Sequence, residues 1–277
     1  MTTAVRVRAL ATTANLGPGF DCAAAALDLW NELELSRGAG DVGSGHLGVQ
    51  AFARLVDPDG WSFRWIDRIP RGRGLGSSAA VIALGLVAGA AVRGEEAEAE
   101  RLLAAGLELE GHPDNLAAAL AGGVCLTWEG RIARVSDDAP AVPIALVPEE
   151  TVSTAGSRAG LPGTVPHPDA AFTTARAALL GAALVAGSEE LFADALDDRL
   201  HEPYRAADAP LLASARADLP AGALGATLSR SGPTVIVWAR RSAAARVQAD
   251  LAARFPRAQA LRLAVTPKGA EALETSP

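Results

Sequence analysis

The first residues, AVRVRALA, alternate apolar and polar positions, the period of a strand with one face in a core. ATTANLGPGFD breaks the pattern. The alanine-rich CAAAALDLW follows and passes into fresh alternation at NELELS, a further strand. GAGDVGSGHLG reads as a glycine-rich loop, VQAFARLV as a short helix ending at DPDG, and SFRWIDRIP as a strand. The apolar run Ala79–Val92 predicts a buried helix, since its roughly 14 residues fall short of the ~20 that span a bilayer. GEEAEAERLLAAGLELEG is amphipathic at helical spacing, with acids in its first turn where the macrodipole favours them. HPDNLAAALAGG is a polar break before a helix of small residues, and VCLTWEGRIARVS is a hairpin around Glu129-Gly130.

Acids and prolines in SDDAPAVP, residues 136–143, mark a connection. Beyond it, IALVPE predicts a strand, TAGSRAGLPGTVPHPDA a loop, and AALVAG and EELFADALDDRLHEPYR helices. The last stretches, ALGATLSRSGPTVIVWA, SAAARVQADLAARF and AQALRLAVT, alternate strand and helix. No period repeats. The pattern predicts a mixed α+β fold in two lobes, residues 1–140 and 141–277.

Composition narrows the function. The 49% apolar fraction is inflated by alanine, and aromatics are 4%, which favours alanine-rich helix over an aromatic-rich sandwich. A net charge of −7 argues against a nucleic-acid partner. Lys268 is the only lysine, so neither a Walker lysine after a glycine loop nor a Schiff-base lysine in the body of the chain is available. Cys22 and Cys125 are too few for a disulfide framework or zinc knuckle, and the N-terminus lacks a signal-type apolar region. A soluble cytoplasmic protein with no membrane partner is expected.

Five segments carry candidate chemistry. In PRGRGLGSSAA, Gly72, Gly74 and Gly76 precede a helix whose start offers unpaired N–H groups to an anion, and Ser77 and Ser78 can cap it, bind phosphate or ligate a metal. The plainer reading is a strand–turn–helix junction with a serine cap. EGHPDN, with Glu110, His112, Asp114 and Asn115, suits a metal or a reacting hydroxyl, or merely ends one helix and caps the next. TANLGPGFD sets Asn15 and Asp21 about a rigid turn, fit for an ammonium or hydroxyl group or for a helix cap at Asp21. Arg158 and Arg205 can each clamp a carboxylate, or lie in surface ion pairs. LSRSGPT, residues 228–234, is a second wall for the glycine loop or a simple hairpin.

Taken in order, TTANLGPGFD, IPRGRGLGSSAA, EGHPDN, LHEPYR and SRSGPT resemble the motifs of the GHMP kinase superfamily and, within it, of the homoserine kinase family. The resemblance covers about residues 5–240. It implies a ribosomal-S5-like N-terminal lobe, a ferredoxin-like C-terminal lobe, and ATP-dependent phosphorylation of the L-homoserine hydroxyl, a step toward threonine. It further implies that Pro70, Arg71, Gly72, Arg73, Gly74, Leu75, Gly76, Ser77, Ser78, Ala79 and Ala80 wrap the phosphates, and that Ser78 and Glu110 hold Mg²⁺. Asn15 and Asp21 would take the ammonium and hydroxyl end of homoserine, and Arg158 and Arg205 its carboxylate, with Thr154 lining the site. Asn115 would lie near the reacting hydroxyl, and Asp114 is the candidate base. The superfamily uses no Walker lysine. A homodimer is compatible with the family.

The chain departs from the family pattern at named positions. Arg230 stands where the Ser-Gly-x-Gly-Pro motif has its first glycine, His46 replaces a frequent asparagine, and a proline common after Asn115 is missing. The alternatives are another GHMP kinase of mevalonate or shikimate type, or a catalytically silent ligand sensor on the same fold.

Overall fold

The computed structural model describes residues 3–38, 43, 45–150, 160–207 and 209–276, with side chains through 273. Strands β1 (Ala4–Asn15) and β2 (Gly19–Arg37) form a long antiparallel pair. Val5, Val7 and Ala9 of β1 point into the core, while Arg6 and Arg8 alternate outward. From Leu10 to Asn15 every residue of the strand is buried, so the end of β1 lies inside the molecule. β2 bends between partners. Its start pairs with β4 (Val124–Trp128) and its end with β3 (Trp61–Ile66). β5 (Arg131–Ser136) extends this first sheet past β4, as the hairpin reading anticipates.

Four helices cover one face: α1 (Leu47–Ala53), α2 (Ser77–Arg93), α3 (Ala99–Glu110) and α4 (Pro113–Ala121). In α2, residues Ala79–Ala90 are all buried, which is why its sequence carries no polar stripe. The chain then enters a second, four-stranded sheet in the order β7 (Ala223–Leu228), β8 (Val235–Ala239), β6 (Val142–Pro148), β9 (Ala258–Arg262). Strand periodicity splits its side chains between two cores. Ile144, Leu146, Val235 and Val237 pack under α8 (Pro210–Ala217) and α9 (Ala244–Arg254), while Ala145, Val147, Ile236 and Trp238 join the first core. Helices α5 (His167–Ala186) and α6 (Glu189–Ala195) contribute Leu180, Leu184 and Phe192 to that same first core. The fold is thus two-lobed α+β.

The last strand, β10 (Glu271–Ser276), departs from the pattern read in the sequence: it returns to the first sheet and pairs with β1. The segment before it crosses the end of α4, with Gly123 N–H donating to Thr266 O (2.6 Å) and Ala270 N–H to Ala119 O (2.8 Å). The polar break after AVRVRALA does not end β1, because that stretch is inside the protein and its backbone groups still need partners.

Helices α1 and α2 touch through glycine. A Cβ on Gly85 would lie 2.0 Å from Gly48 O and 2.9 Å from Ala51 Cβ, both on the facing helix. Gly85→Ala is therefore expected to destabilise by about 1–3 kcal/mol through overpacking. Gly181→Ala in α5, where a Cβ meets nothing within 4 Å, is expected to stabilise by ~1 kcal/mol through helix propensity. Urea denaturation of the two variants against the parent checks both signs.

Candidate active site

The glycine loop is set against the buried end of β1. Thr12 N–H donates to Leu75 O (3.1 Å), and a Cβ on Gly76 would fall 1.9 Å from Thr12 Oγ1. Gly76 is the N-cap of α2 at φ 66°, and no side chain caps the helix. The serine-cap reading thus fails: Ser77 and Ser78 are the first helical residues, and the N-cap, Gly76, offers no side chain to the N–H groups of the first turn. Gly74, at φ 82°, closes the loop from the other lobe, where a Cβ would meet Ser229 O at 2.7 Å and Gly232 O at 2.8 Å. The turn after β7 is therefore a second wall of the loop rather than a free hairpin, held by Ser229 Oγ donating to Gly74 O (2.6 Å).

A cavity of about 190 Å³ lies against Gly72, Gly74, Gly76, Ser77, Ser78 and Arg230. The remaining loop residues take other places. Leu75, Ala79 and Ala80 are core residues that present only backbone to the loop. Arg71 pairs with Asp67. Arg73 donates to Glu149 O (2.6 Å) and, with Pro70, lines a neighbouring groove.

A second, small cavity of about 10 Å³ lies beyond Arg230, among Asn15, Asp21, Asp114, Asn115 and Arg205. It has room for about one water, so a larger molecule enters only if these side chains part. The rigid turn predicted around Gly-Pro-Gly is present, with Asn15 at φ 74° and Asp21 at φ 56°. Asp21 lies in β2, not at a helix start, and its N–H donates to Asn15 Oδ1 (3.1 Å). Asn15, Leu16, Asp21 and Arg230 make four of the five non-glycine residues at positive φ among those described, a concentration of backbone strain typical of functional sites. Asn115 is fully buried, accepting from Thr12 Oγ1 (2.7 Å) and donating to Asp114 Oδ1 (3.1 Å). Burial raises the Asp114 carboxyl above the usual range, opposed by the Asn115 N–H and by Arg230.

The structure brings Ser78 and Glu110 together, with a guanidinium on both. Arg230 Nη1 donates to Ser78 Oγ (3.2 Å), and Nη2 pairs with Glu110 Oε1. The Glu110 side chain is 2% exposed. Burial raises its carboxyl, and Arg230 and Ser78 pull it back down. Thr154 and Arg158 lie outside the described residues.

Arg205, in the short helix α7 (Glu202–Arg205), is 4% exposed and is aimed by residues that the sequence pattern does not single out. Its Nη1 donates to Arg230 O (2.9 Å) and to His201 Nδ1 (3.0 Å). His201 Nε2 is 2.8 Å from Gly17 O, and the ring stacks on Phe20. Asp198 accepts the N–H groups of Leu200, His201 and Glu202. Burial lowers the His201 pKa to about 4, so the ring is neutral near pH 7: Nε2–H donates to Gly17 and Nδ1 accepts from Arg205. Thr12 and Thr13 were equally hidden, because in sequence they read only as part of a polar break. His46 caps α1 by accepting from Gly48 N–H (3.2 Å) and stacks on Trp65.

The site thus pairs an uncapped, glycine-led helix start with a buried carboxylate–amide–arginine cavity. The family model for the N-terminal domain of GHMP kinases matches residues 46–123, and that for their C-terminal domain matches residues 180–257. A homoserine kinase of Streptomyces coelicolor is 40% identical over 89% of this chain and 88% of its own. One of Gloeobacter violaceus is 37% identical over 91% and 93%. The crystal structure of homoserine kinase from Cytophaga hutchinsonii superposes with a TM-score of 0.88 over 99% of this chain and 98% of its own, and at 24% identity it speaks for the fold. The chain belongs to the GHMP kinases and, among them, to the homoserine kinase family.

His201 gives the site a pH signature. In the unfolded chain it titrates near the ordinary histidine value of 6.5, and in the folded protein near 4. Its contribution is complete above pH ~6.5 and is lost as pH falls from there toward ~4, a window in which the unfolded state holds more of the proton. Buried Glu202, raised to about 7, acts with opposite sign, so the comparison is made against a variant. His201→Gln is expected to lose about 3 kcal/mol less stability than the parent between pH ~7 and ~4, measured by urea denaturation across that range.

Proposed function

We propose that this protein transfers the γ-phosphoryl group of ATP to the hydroxyl of L-homoserine, yielding ADP and O-phospho-L-homoserine, in the cytoplasm and on the route to threonine. The observation that carries the reading is the buried Arg205, fixed by neutral His201 and lining a cavity with Asn15, Asp21 and Asn115. A guanidinium there suits a free carboxylate, and the carboxylate of Asp21 with the amide of Asn15 suits an ammonium group. Arg158 shares the carboxylate with Arg205 in this reading, and Thr154 lines the site.

The hydroxyl oxygen attacks the γ-phosphorus, the bond to the β,γ-bridging oxygen breaks with its electron pair leaving on ADP, and the hydroxyl proton passes to a base. Asp114 is that base: its burial raises its proton affinity, and Asn115 beside it orients the hydroxyl. The start of α2 and the N–H groups of the glycine loop hold the phosphates, and positioning supplies most of the acceleration. One carboxylate and one hydroxyl, with phosphate oxygens, suit magnesium, so Ser78 and Glu110, both contacted here by Arg230, would hold it in place of the guanidinium. When bound, it would neutralise phosphate charge.

An ADP-release assay with L-homoserine, mevalonate, shikimate or no acceptor tests the reading. Turnover is expected with homoserine alone, and its absence with ATP binding intact would favour a ligand sensor. Arg205→Met is expected to raise the homoserine KM at least about thirtyfold, the effect of unpairing a buried charge, with the ATP KM changed less than about threefold. Equal shifts in both constants would remove Arg205 from the acceptor site.

A further inference from the structure

Arg230 occupies the most consequential position in the molecule that family membership leaves without a role. It forms part of the wall of both cavities, the one along the glycine loop and the one among Asn15, Asp21, Asp114, Asn115 and Arg205. A phosphoryl group passing from one to the other moves past its guanidinium. The residue is at φ 60°, a conformation in which an L side chain is strained. Three backbone bonds hold it there: its N–H donates to Ala14 O (3.2 Å), and its carbonyl accepts from Asn15 Nδ2 (3.0 Å) and Arg205 Nη1 (2.9 Å).

Its head is as fixed as its backbone. The two terminal nitrogens are on Ser78 and Glu110, and the side chain is 14% exposed. The Nε–H is buried and has no hydrogen-bond partner. A buried cationic donor left without a partner is costly, so its place in the structure needs a reason. The cavity that Arg230 lines is built of glycine backbone and the uncapped start of α2, both suited to anions.

We propose that Arg230 is a phosphate-binding catalytic residue of this enzyme: a built-in cation, braced by Ser78 and Glu110, that contacts the transferring phosphoryl group and lets the site hold a nucleoside triphosphate without a divalent ion. Arginine stabilises charge on a transferring phosphoryl group in other phosphotransferases, where it is delivered from a loop or a partner protein. Here it is part of the turn after β7. Because the guanidinium already sits on Ser78 and Glu110, a divalent ion competes with it for those oxygens.

The proposal rests on the reading that the glycine loop takes the phosphates of ATP. The test titrates the non-hydrolysable analogue AMP-PNP calorimetrically into the full chain and into Arg230→Gly, each with excess magnesium and with excess EDTA. Glycine tolerates the positive φ. In the parent, removing magnesium is expected to weaken binding less than about tenfold, and in Arg230→Gly by about a hundredfold or more, the loss of a charge-assisted pair. Manganese alone, followed by its paramagnetic resonance, is expected to bind Arg230→Gly more tightly than the parent.

Equal dependence on magnesium in the two proteins, at any level, overturns the proposal. So does tighter binding of magnesium–AMP-PNP by Arg230→Gly, which would make Arg230 an obstacle expelled by the nucleotide. If Arg230→Gly does not fold, Arg230→Lys retains the charge without the planar fork. It is expected to lose about tenfold or more in EDTA only, and unchanged binding sinks the idea. If the parent does not bind AMP-PNP even with magnesium, the nucleotide reading of the loop fails instead.

Discussion

The geometry of the cleft depends on how Arg230 is held. Its N–H reaches the end of β1, its carbonyl takes hydrogen bonds from Asn15 and Arg205, and its guanidinium spans from the start of α2 to the end of α3. Elements of both lobes are thereby fixed by one largely buried residue. Such an ion pair adds little net stability, since desolvating both charges offsets most of their attraction. What it contributes is placement: two cavities with a shared wall, and a carboxylate that burial alone would drive toward its neutral form.

Much of the fold was legible in the sequence because burial imposes a period. The alternation in AVRVRALA, the featureless apolar run of α2 and the hairpin at Glu129-Gly130 all describe elements with one clear environment. The stretch from Thr12 to Asn15 was illegible for a physical reason. Its polar residues are buried by partners more than 50 residues away in the chain, Gly76, Asn115 and Ser229 among them, and no local pattern encodes such neighbours. β10 was equally hidden, since a short edge strand of mixed polarity has no distinctive period.

The site was legible as motifs and opaque as geometry. Glycines before a helix announce an anion site by the backbone they free, so the role of Gly74 and Gly76 follows from residue type. That Gly76 rather than a serine caps α2 depends on φ angles that composition does not record. Arg205 was visible as one arginine among many, and its distinction lies in His201, Asp198 and Gly17, which fix its head in one orientation. Arg230 could be flagged as a departure from a pattern, yet its contact with Ser78 and Glu110 joins residues 152 and 120 positions apart.

The return of Glu271–Ser276 to β1 has a consequence for how the molecule is made. A ribosome delivers β1 long before its outer neighbour, so one edge of the first sheet waits until the second sheet has been synthesised. During that interval β1 is an open edge carrying Arg6 and Arg8 at alternate positions, charges that discourage pairing with a foreign strand. When the tail arrives, Glu271 takes up Arg8 and the edge is covered. The first sheet is thus finished only after the second has been made, and Arg8 guards its nascent edge before pairing with Glu271.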